Sequence, residues 1–236
     1  MFQHLRELEE IENNLRIEMD QAKNGIQNLT SQPIKKNIVK YVIGVAGGSC
    51  SGKTSCVKAI LDSLHEDDVT IVSQDSYYFG GSAETNYDVP EAIDFDRLIE
   101  DLKLLINGQE IEAPMYDFST HSRSTQTKKL KPAKIIILEG ILIFTQQKVR
   151  ELLHLKVFIS SHGELAFSRR LERDVKERGR SHEEVTLRYF RDVLPSTKQY
   201  VEPSENFSDI VLKNNISGQF IGLKILLDHI ALTLAY

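Results

Sequence analysis

Cysteine is scarce in this 236-residue chain: Cys50 and Cys56 are its only two, six positions apart. Such a pair does not make a disulfide framework, so both are expected to be reduced thiols in a cytoplasmic protein. Long apolar runs are also missing. A membrane helix needs roughly 18 or more apolar residues, and the longest stretch here, 134–144, is interrupted by Glu139 and Gly140. The opening MFQHLRELEEIENNL is too charged for the apolar core of a secretory leader. Positive charge is not in excess either. Lys plus Arg number 29 against 34 Asp plus Glu, a net charge of −5, which argues against general nucleic-acid binding but leaves room for a local basic patch around a phosphate. No internal repeat or low-complexity tract is present. Neither a membrane nor a nucleic acid is an expected partner.

What is present suits one α/β domain with a sizeable core: 41% apolar and 27% charged residues. Leu5, Leu8, Ile11 and Leu15 recur at helical spacing among Glu and Arg, so residues 1–35 are expected to be an N-terminal amphipathic helical extension ending in a linker near Ser31-Gln32-Pro33. That helix serves either as a solvated element packed on the body or as an oligomer contact. Residues 36–236 then alternate strand and helix patterns, which predicts a mainly parallel sheet. Strands are expected over 38–46, 69–73, 135–144, 155–160 and 209–212. Helices are expected over 52–65, 94–106, 164–178 and 217–235. The Thr-, Ser- and Lys-rich segment 109–132 breaks the alternation and is too long for an idle connection, so a hairpin flap is expected there.

Gly47-Gly48-Ser49-Cys50-Ser51-Gly52-Lys53-Thr54, followed by Ser55, fits G-x-x-x-x-G-K-S/T in full. The glycines let the backbone wrap and turn its N–H groups inward, and the following helix N-terminus adds positive potential, so the segment cradles the phosphates of a nucleoside triphosphate. Lys53 should reach the β- and γ-phosphates and Thr54 should offer its hydroxyl to Mg²⁺. The predicted strand before it and helix after it supply the context that the motif requires.

Four further features bear on chemistry. Asp75 follows the second strand, at the edge where ligands bind in such sheets; it is either a proton acceptor that also helps to hold Mg²⁺ or a turn aspartate. Glu139 ends a buried apolar run, where a carboxylate either serves a cation or pairs with Arg or Lys. The flap carries PMYDFSTHSR, whose aromatics, His and Arg can sandwich a flat base or merely form a small hairpin cluster. Arg169, Arg170, Arg173, Lys176, Arg178 and Arg180 crowd one segment. They form either a lid closing on the transferred phosphate or a solvated helix paired with Glu172, Asp174 and Glu177.

Taken in order, GGSCSGKT, SQDSYY, NYDVPEAID, PMYDFSTHSR, ILEGIL and SRRLERDVKERGR resemble the uridine kinases (uridine–cytidine kinases), from about Tyr41 to the C-terminal helix. The resemblance implies a P-loop NTPase-like three-layer α/β fold with a mainly parallel sheet, a β-hairpin flap and a helical Arg-rich lid. It implies transfer of phosphate from ATP, with Mg²⁺, to the 5′-hydroxyl of a pyrimidine ribonucleoside, and a homo-oligomer. By the same resemblance Asp75 is the general base, and Thr54, Asp75 and Glu139 attend the metal. Asp88 grips the ribose hydroxyls with Tyr87 beside it. Tyr78, Tyr116, Phe118 and His121 form the base pocket, and Ile141 its apolar wall. Arg170 and Arg180 contact ribose or phosphate, and Arg173 and Arg178 are lid residues toward ATP.

The sequence departs from that pattern in two places. Where the family usually has a Gln contacting the pyrimidine, this chain has Arg188, and where it has a Pro-Arg-Gly-like turn near the adenine, this chain has Lys213-Asn214-Asn215. The alternatives to a nucleoside kinase are a P-loop kinase for another small alcohol, a catalytically silent nucleotide-binding regulator, and a plain ATPase or GTPase.

Overall fold

The computed structural model describes residues 39–82, 84–215 and 217–235; the helix expected over 1–35 lies outside them. Strand β1 (Tyr41–Gly47) is buried at every position after the first, because its side chains alternate between two cores. Val42 and Ala46 point into one, Ile43 and Val45 into the other. The same division holds along β5 (Ile135–Gly140), with Ile136 and Leu138 on the first side and Ile135 and Ile137 on the second. Near-continuous apolar strands of this kind belong to a parallel sheet covered on both faces.

The sheet has six strands in the order β2-β5-β1-β6-β7-β8, where β2 is Val69–Ser73, β6 Leu155–Ser160, β7 Ile210–Asn214 and β8 Phe220–Ile221. All neighbours run parallel except β7 and β8. One core is closed by α1 (Lys53–Asp62) through Cys56, Val57 and Ile60, and by α6 (Leu223–Ala235) through Leu226 and Ile230. The other is closed by α2 (Phe95–Ile106), whose Leu98, Leu102 and Leu105 line up at helical spacing and are fully buried. Asp94 caps α2 by accepting from the Arg97 N–H at 3.2 Å.

The expected flap is an antiparallel hairpin of β3 (Ile111–Asp117) and β4 (Ser122–Leu130), with a register shift between Pro114 and Tyr116. After the four-residue α3 (Gln147–Arg150) and β6 comes the charged helix α4 (Gly163–Arg178). Gly179, in the left-handed region at φ 65°, turns the chain into α5 (His182–Arg188).

Three expectations are corrected. The strand predicted to 144 stops at Gly140, because the Leu142 N–H donates to the buried side-chain oxygen of Gln74 at 2.7 Å and leaves the ladder. The last helix begins at Leu223, not at 217. Asn215 instead folds a turn, its side-chain oxygen accepting from the Gln219 N–H at 2.9 Å, and the chain returns as β8. Residues 182–207, which the sequence left unassigned, are helical throughout. The run contains Pro195 and Pro203, and a π-helical segment precedes each, at Tyr189–Val193 and Thr197–Val201. A proline cannot donate to the carbonyl four residues back and its ring crowds that carbonyl, so the widened turn absorbs the misfit.

Leu102→Ala should lower unfolding stability by about 3 kcal/mol, the cost of a cavity at a fully buried leucine. Urea denaturation should show a shifted midpoint with an unchanged m-value.

Candidate active site

The loop after β1 cannot be built from ordinary residues. Gly52 adopts φ 108°, and a Cβ there would overlap the Asn214 side chain. Asn214 in turn donates to the Ser51 carbonyl at 2.7 Å and fixes the loop from outside. No side chain caps α1, so its first N–H groups remain open to an anion. Lys53 curls back to donate to the carbonyls of Gly47 (3.1 Å) and Gly48 (3.0 Å). Burial lowers the Lys53 pKa, while Glu139 and then Asp75 oppose that shift.

The two carboxylates reach the loop from neighbouring strand ends. Glu139 lies opposite Ser73 in the β2–β5 register and accepts from its hydroxyl at 2.7 Å. Among the described residues it forms no ion pair. Asp75 follows on the short helical turn Gln74–Tyr77. Burial pushes the Asp75 carboxyl above its ordinary value and Glu139 adds to the rise, while Lys53, Arg178 and Arg173 pull it back. The Thr54 hydroxyl, Asp75 and Glu139 are all oxygen donors on one cavity. That set fits Mg²⁺, which takes one or two carboxylates and completes its shell with phosphate and water.

That cavity, of about 450 Å³, continues from the loop past Asp75 into an aromatic box. Tyr87 stacks on His121 with ring centroids 5.4 Å apart, and Tyr116 packs against Tyr78 at 5.2 Å and Phe118 at 5.1 Å. Ile141 joins them on the lining. The flap is held by Arg123, which is not a cavity group as the sequence had allowed. It donates to the carbonyls of Tyr78 (3.1 Å) and Tyr77 (3.0 Å) and to Asp94 (3.0 Å). Asp88 is buried at the edge of the box. Burial raises its pKa, Arg170 opposes the rise and Asp192 adds to it. His121 is held below its ordinary pKa by burial and then by Arg180 and Arg188, so it is neutral at pH 7.

The third wall is the arginine segment. Asp174, with no exposed side-chain surface, lies 2.8 Å from Arg173, 3.3 Å from Arg178, 3.5 Å from Arg180 and 3.6 Å from Arg170. Burial pushes its carboxyl up, but Arg170, Arg173 and Arg178 outweigh that and hold it below the ordinary value. Only the outer face of α4 is solvated, by the exposed Lys176–Glu172 pair. Arg170 donates to the Ser49 hydroxyl at 2.9 Å, and the Arg178 guanidinium lies 4.2 Å from the Phe118 ring centroid. The segment thus touches both the phosphate loop and the flap.

Every residue singled out from sequence lines this cavity except Gly47, Gly48 and Ser51. The two glycines instead hold Lys53 through their carbonyls. Asp192, Val193, Asn214 and Gly218 also line it and were not anticipated as site residues. Asp192 and Val193 lie in the unassigned helix, whose prolines hid its pattern. Tyr116, Arg170, Arg188 and Asn214 each keep a buried polar atom without a hydrogen-bond partner, as expected of groups that meet a ligand.

The chain matches the profile of the Phosphoribulokinase / Uridine kinase family over residues 42–217. It belongs to that family. It is 41% identical over 196 residues to the uridine kinase of Lactobacillus johnsonii, covering 78% of this chain and 93% of that protein. It is 40% identical over 178 residues to the uridine kinase of Halalkalibacterium halodurans, covering 72% and 84%. Among solved structures, the D-glycerate 3-kinase from Cryptococcus neoformans aligns with a TM-score of 0.59 at 15% identity, over 84% of this chain and 93% of that one. The structural likeness shows the shared P-loop kinase fold. The cavity is where this member of the family brings its loop, carboxylates and arginines together.

Asp174→Asn should cost roughly 3 kcal/mol or more at neutral pH, because a buried anion is removed from the cations around it. The folded pKa of Asp174 is depressed, so its contribution is fully present above the unfolded value of 3.8 and is lost as pH falls toward the folded one. Denaturation curves of wild type and variant should therefore converge on acidification.

Proposed function

We propose that this chain is a uridine–cytidine kinase, with residues 36–236 as the kinase domain, transferring the γ-phosphate of ATP to the 5′-hydroxyl of a pyrimidine ribonucleoside in salvage. The observation that carries the proposal is the order of groups along one cavity. Asp75 lies between a phosphate-binding loop and an aromatic box edged by the buried acid Asp88. A hydrolase for ATP or GTP needs neither the box nor that acid.

In this scheme Lys53 leaves the Gly47 and Gly48 carbonyls to bind the donor phosphates. The Arg173 and Arg178 side chains neutralise charge on the transferred group, and Arg170 and Arg180 flank the acceptor. Mg²⁺, held by Thr54, Asp75 and Glu139, would bridge phosphate oxygens and neutralise developing charge. Asp88 accepts hydrogen bonds from the ribose diol, and the stacked Tyr87 and His121 with Tyr78, Tyr116 and Phe118 enclose the base. Asp75 accepts the proton of the 5′-hydroxyl, and its raised pKa makes it a stronger base than an exposed aspartate. Positioning and fixed charge supply most of the acceleration. A cytoplasmic setting and a homo-oligomer accompany the proposal. No helix among the described residues is long and apolar enough to cross a membrane.

ADP release should be stimulated by uridine and cytidine and far less by deoxyuridine. Asp88→Asn should narrow that difference by raising KM for the ribonucleosides. Stimulation by no nucleoside, with ATP bound, would sink the proposal.

Asp75→Asn should lower kcat about 100-fold or more while the fold persists, checked by circular dichroism. The acid limb of kcat/KM in the wild type should lie above the ordinary aspartate value of 3.8, since Asp75 must be ionised to act.

A further inference from the structure

Arg188 gives the acceptor end of the cavity a polarity that a pyrimidine kinase does not by itself require. It is 7% exposed, and its guanidinium lies 5.9 Å from the Tyr87 ring centroid, at the rim of the aromatic box. Its Nη2 donates to the Thr85 carbonyl at 3.3 Å. Its Nη1 is buried with no hydrogen-bond partner, the Glu184 carboxylate standing 3.7 Å away. A buried N–H left without an acceptor is costly, so the ligand that fills this site must present one.

The other polar groups of the box are not so restricted. The Tyr116 hydroxyl, also buried and unpartnered, can donate or accept. Neutral His121 carries one donor and one acceptor nitrogen. Either can meet the 4-position of a pyrimidine, whether it is the amino group of cytosine or the carbonyl of uracil. Arginine only donates. The O2 oxygen is an acceptor in both bases, but position 3 differs. Cytosine has a lone pair there, and uracil has an N–H that would be aimed at another N–H. The positive field of Arg180 and Arg188 that keeps His121 unprotonated also opposes protonation of cytosine N3 and leaves its lone pair free.

We propose that Arg188 makes the acceptor site select cytidine over uridine, by donating from Nη1 to the N3–O2 edge of cytosine. The proposal rests on the nucleoside kinase function above and adds a choice between its two substrates. Arg188 acts here as a binding group for the base and takes no part in the transfer itself.

The test is a competition assay in which cytidine and uridine share one reaction with saturating ATP and Mg²⁺, so that the product ratio reports the ratio of kcat/KM. Wild type should favour cytidine roughly tenfold, the size of one misplaced buried hydrogen bond. Arg188→Gln, which offers both a donor and an acceptor, should bring the ratio close to one. Arg188→Lys, still a pure donor, should keep the preference. A substrate arm needs no variant: 3-deazacytidine, with C–H in place of N3, should lose the advantage over uridine. A wild-type ratio at or below one, a 3-deazacytidine rate equal to that of cytidine, or an Arg188→Gln enzyme with the wild-type ratio would each overturn the selection. Turnover of neither nucleoside would instead overturn the kinase proposal beneath it.

Discussion

Four guanidinium groups converge on one carboxylate with no exposed side-chain surface, Asp174. Four buried cations without that anion would repel one another in a poorly solvated space. With it, they become a rigid positive wall whose outward N–H groups face the cavity. The pairing also sets local geometry. Arg170 and Arg173 come from the body of α4, Arg178 from its last turn, and Arg180 from beyond the Gly179 corner. The Asp174 side chain therefore pins the joint between α4 and α5, and through Arg170 it fastens that joint to Ser49 of the phosphate loop. Net stabilisation from a buried ion cluster is limited by desolvation; what this cluster secures is position.

The loop end balances that wall with acids. Lys53, Asp75 and Glu139 shift one another's protonation, and the two carboxylates owe their proximity to the pairing of β2 with β5. Each acid alone would be an unpaired buried charge. Beside cationic Lys53 and a hydroxyl such as Thr54, they become a place where a divalent cation and a polyanion are both favourable. Local desolvation thus produces the base strength of Asp75 and the metal affinity of the site together.

The acceptor side depends on the flap, and the flap depends on Arg123. By donating to the backbone of Tyr77 and Tyr78 and to Asp94, Arg123 ties the hairpin to the turn that carries Asp75. The base box and the proton acceptor consequently sit on one rigid unit. Phe118 at the hairpin tip meets Arg178 of the arginine wall, so flap and wall close the cavity from opposite sides.

The sequence by itself determined whatever depends on residues close together along the chain. The phosphate loop was legible because its eight positions, 47–54, act as one backbone turn. The strands and α2 were legible because apolar side chains repeat at the period of the element that buries them, and the flap because its composition broke that period. The resemblance to a family of motifs assigned Asp75, Asp88, Glu139 and the aromatics, which otherwise stood between two uses each. Tertiary structure alone decided three things. It made the arginine segment both self-paired through Asp174 and turned toward the cavity, where the sequence had offered these as alternatives. It converted Arg123 from a candidate ligand contact into a strut. It threaded a helix through Pro195 and Pro203 by widening the turns before them, and so delivered Asp192 and Val193 to the site. In each case the deciding contact joins groups whose meeting depends on packing, and a one-dimensional pattern records which charges exist but not which of them share a buried partner.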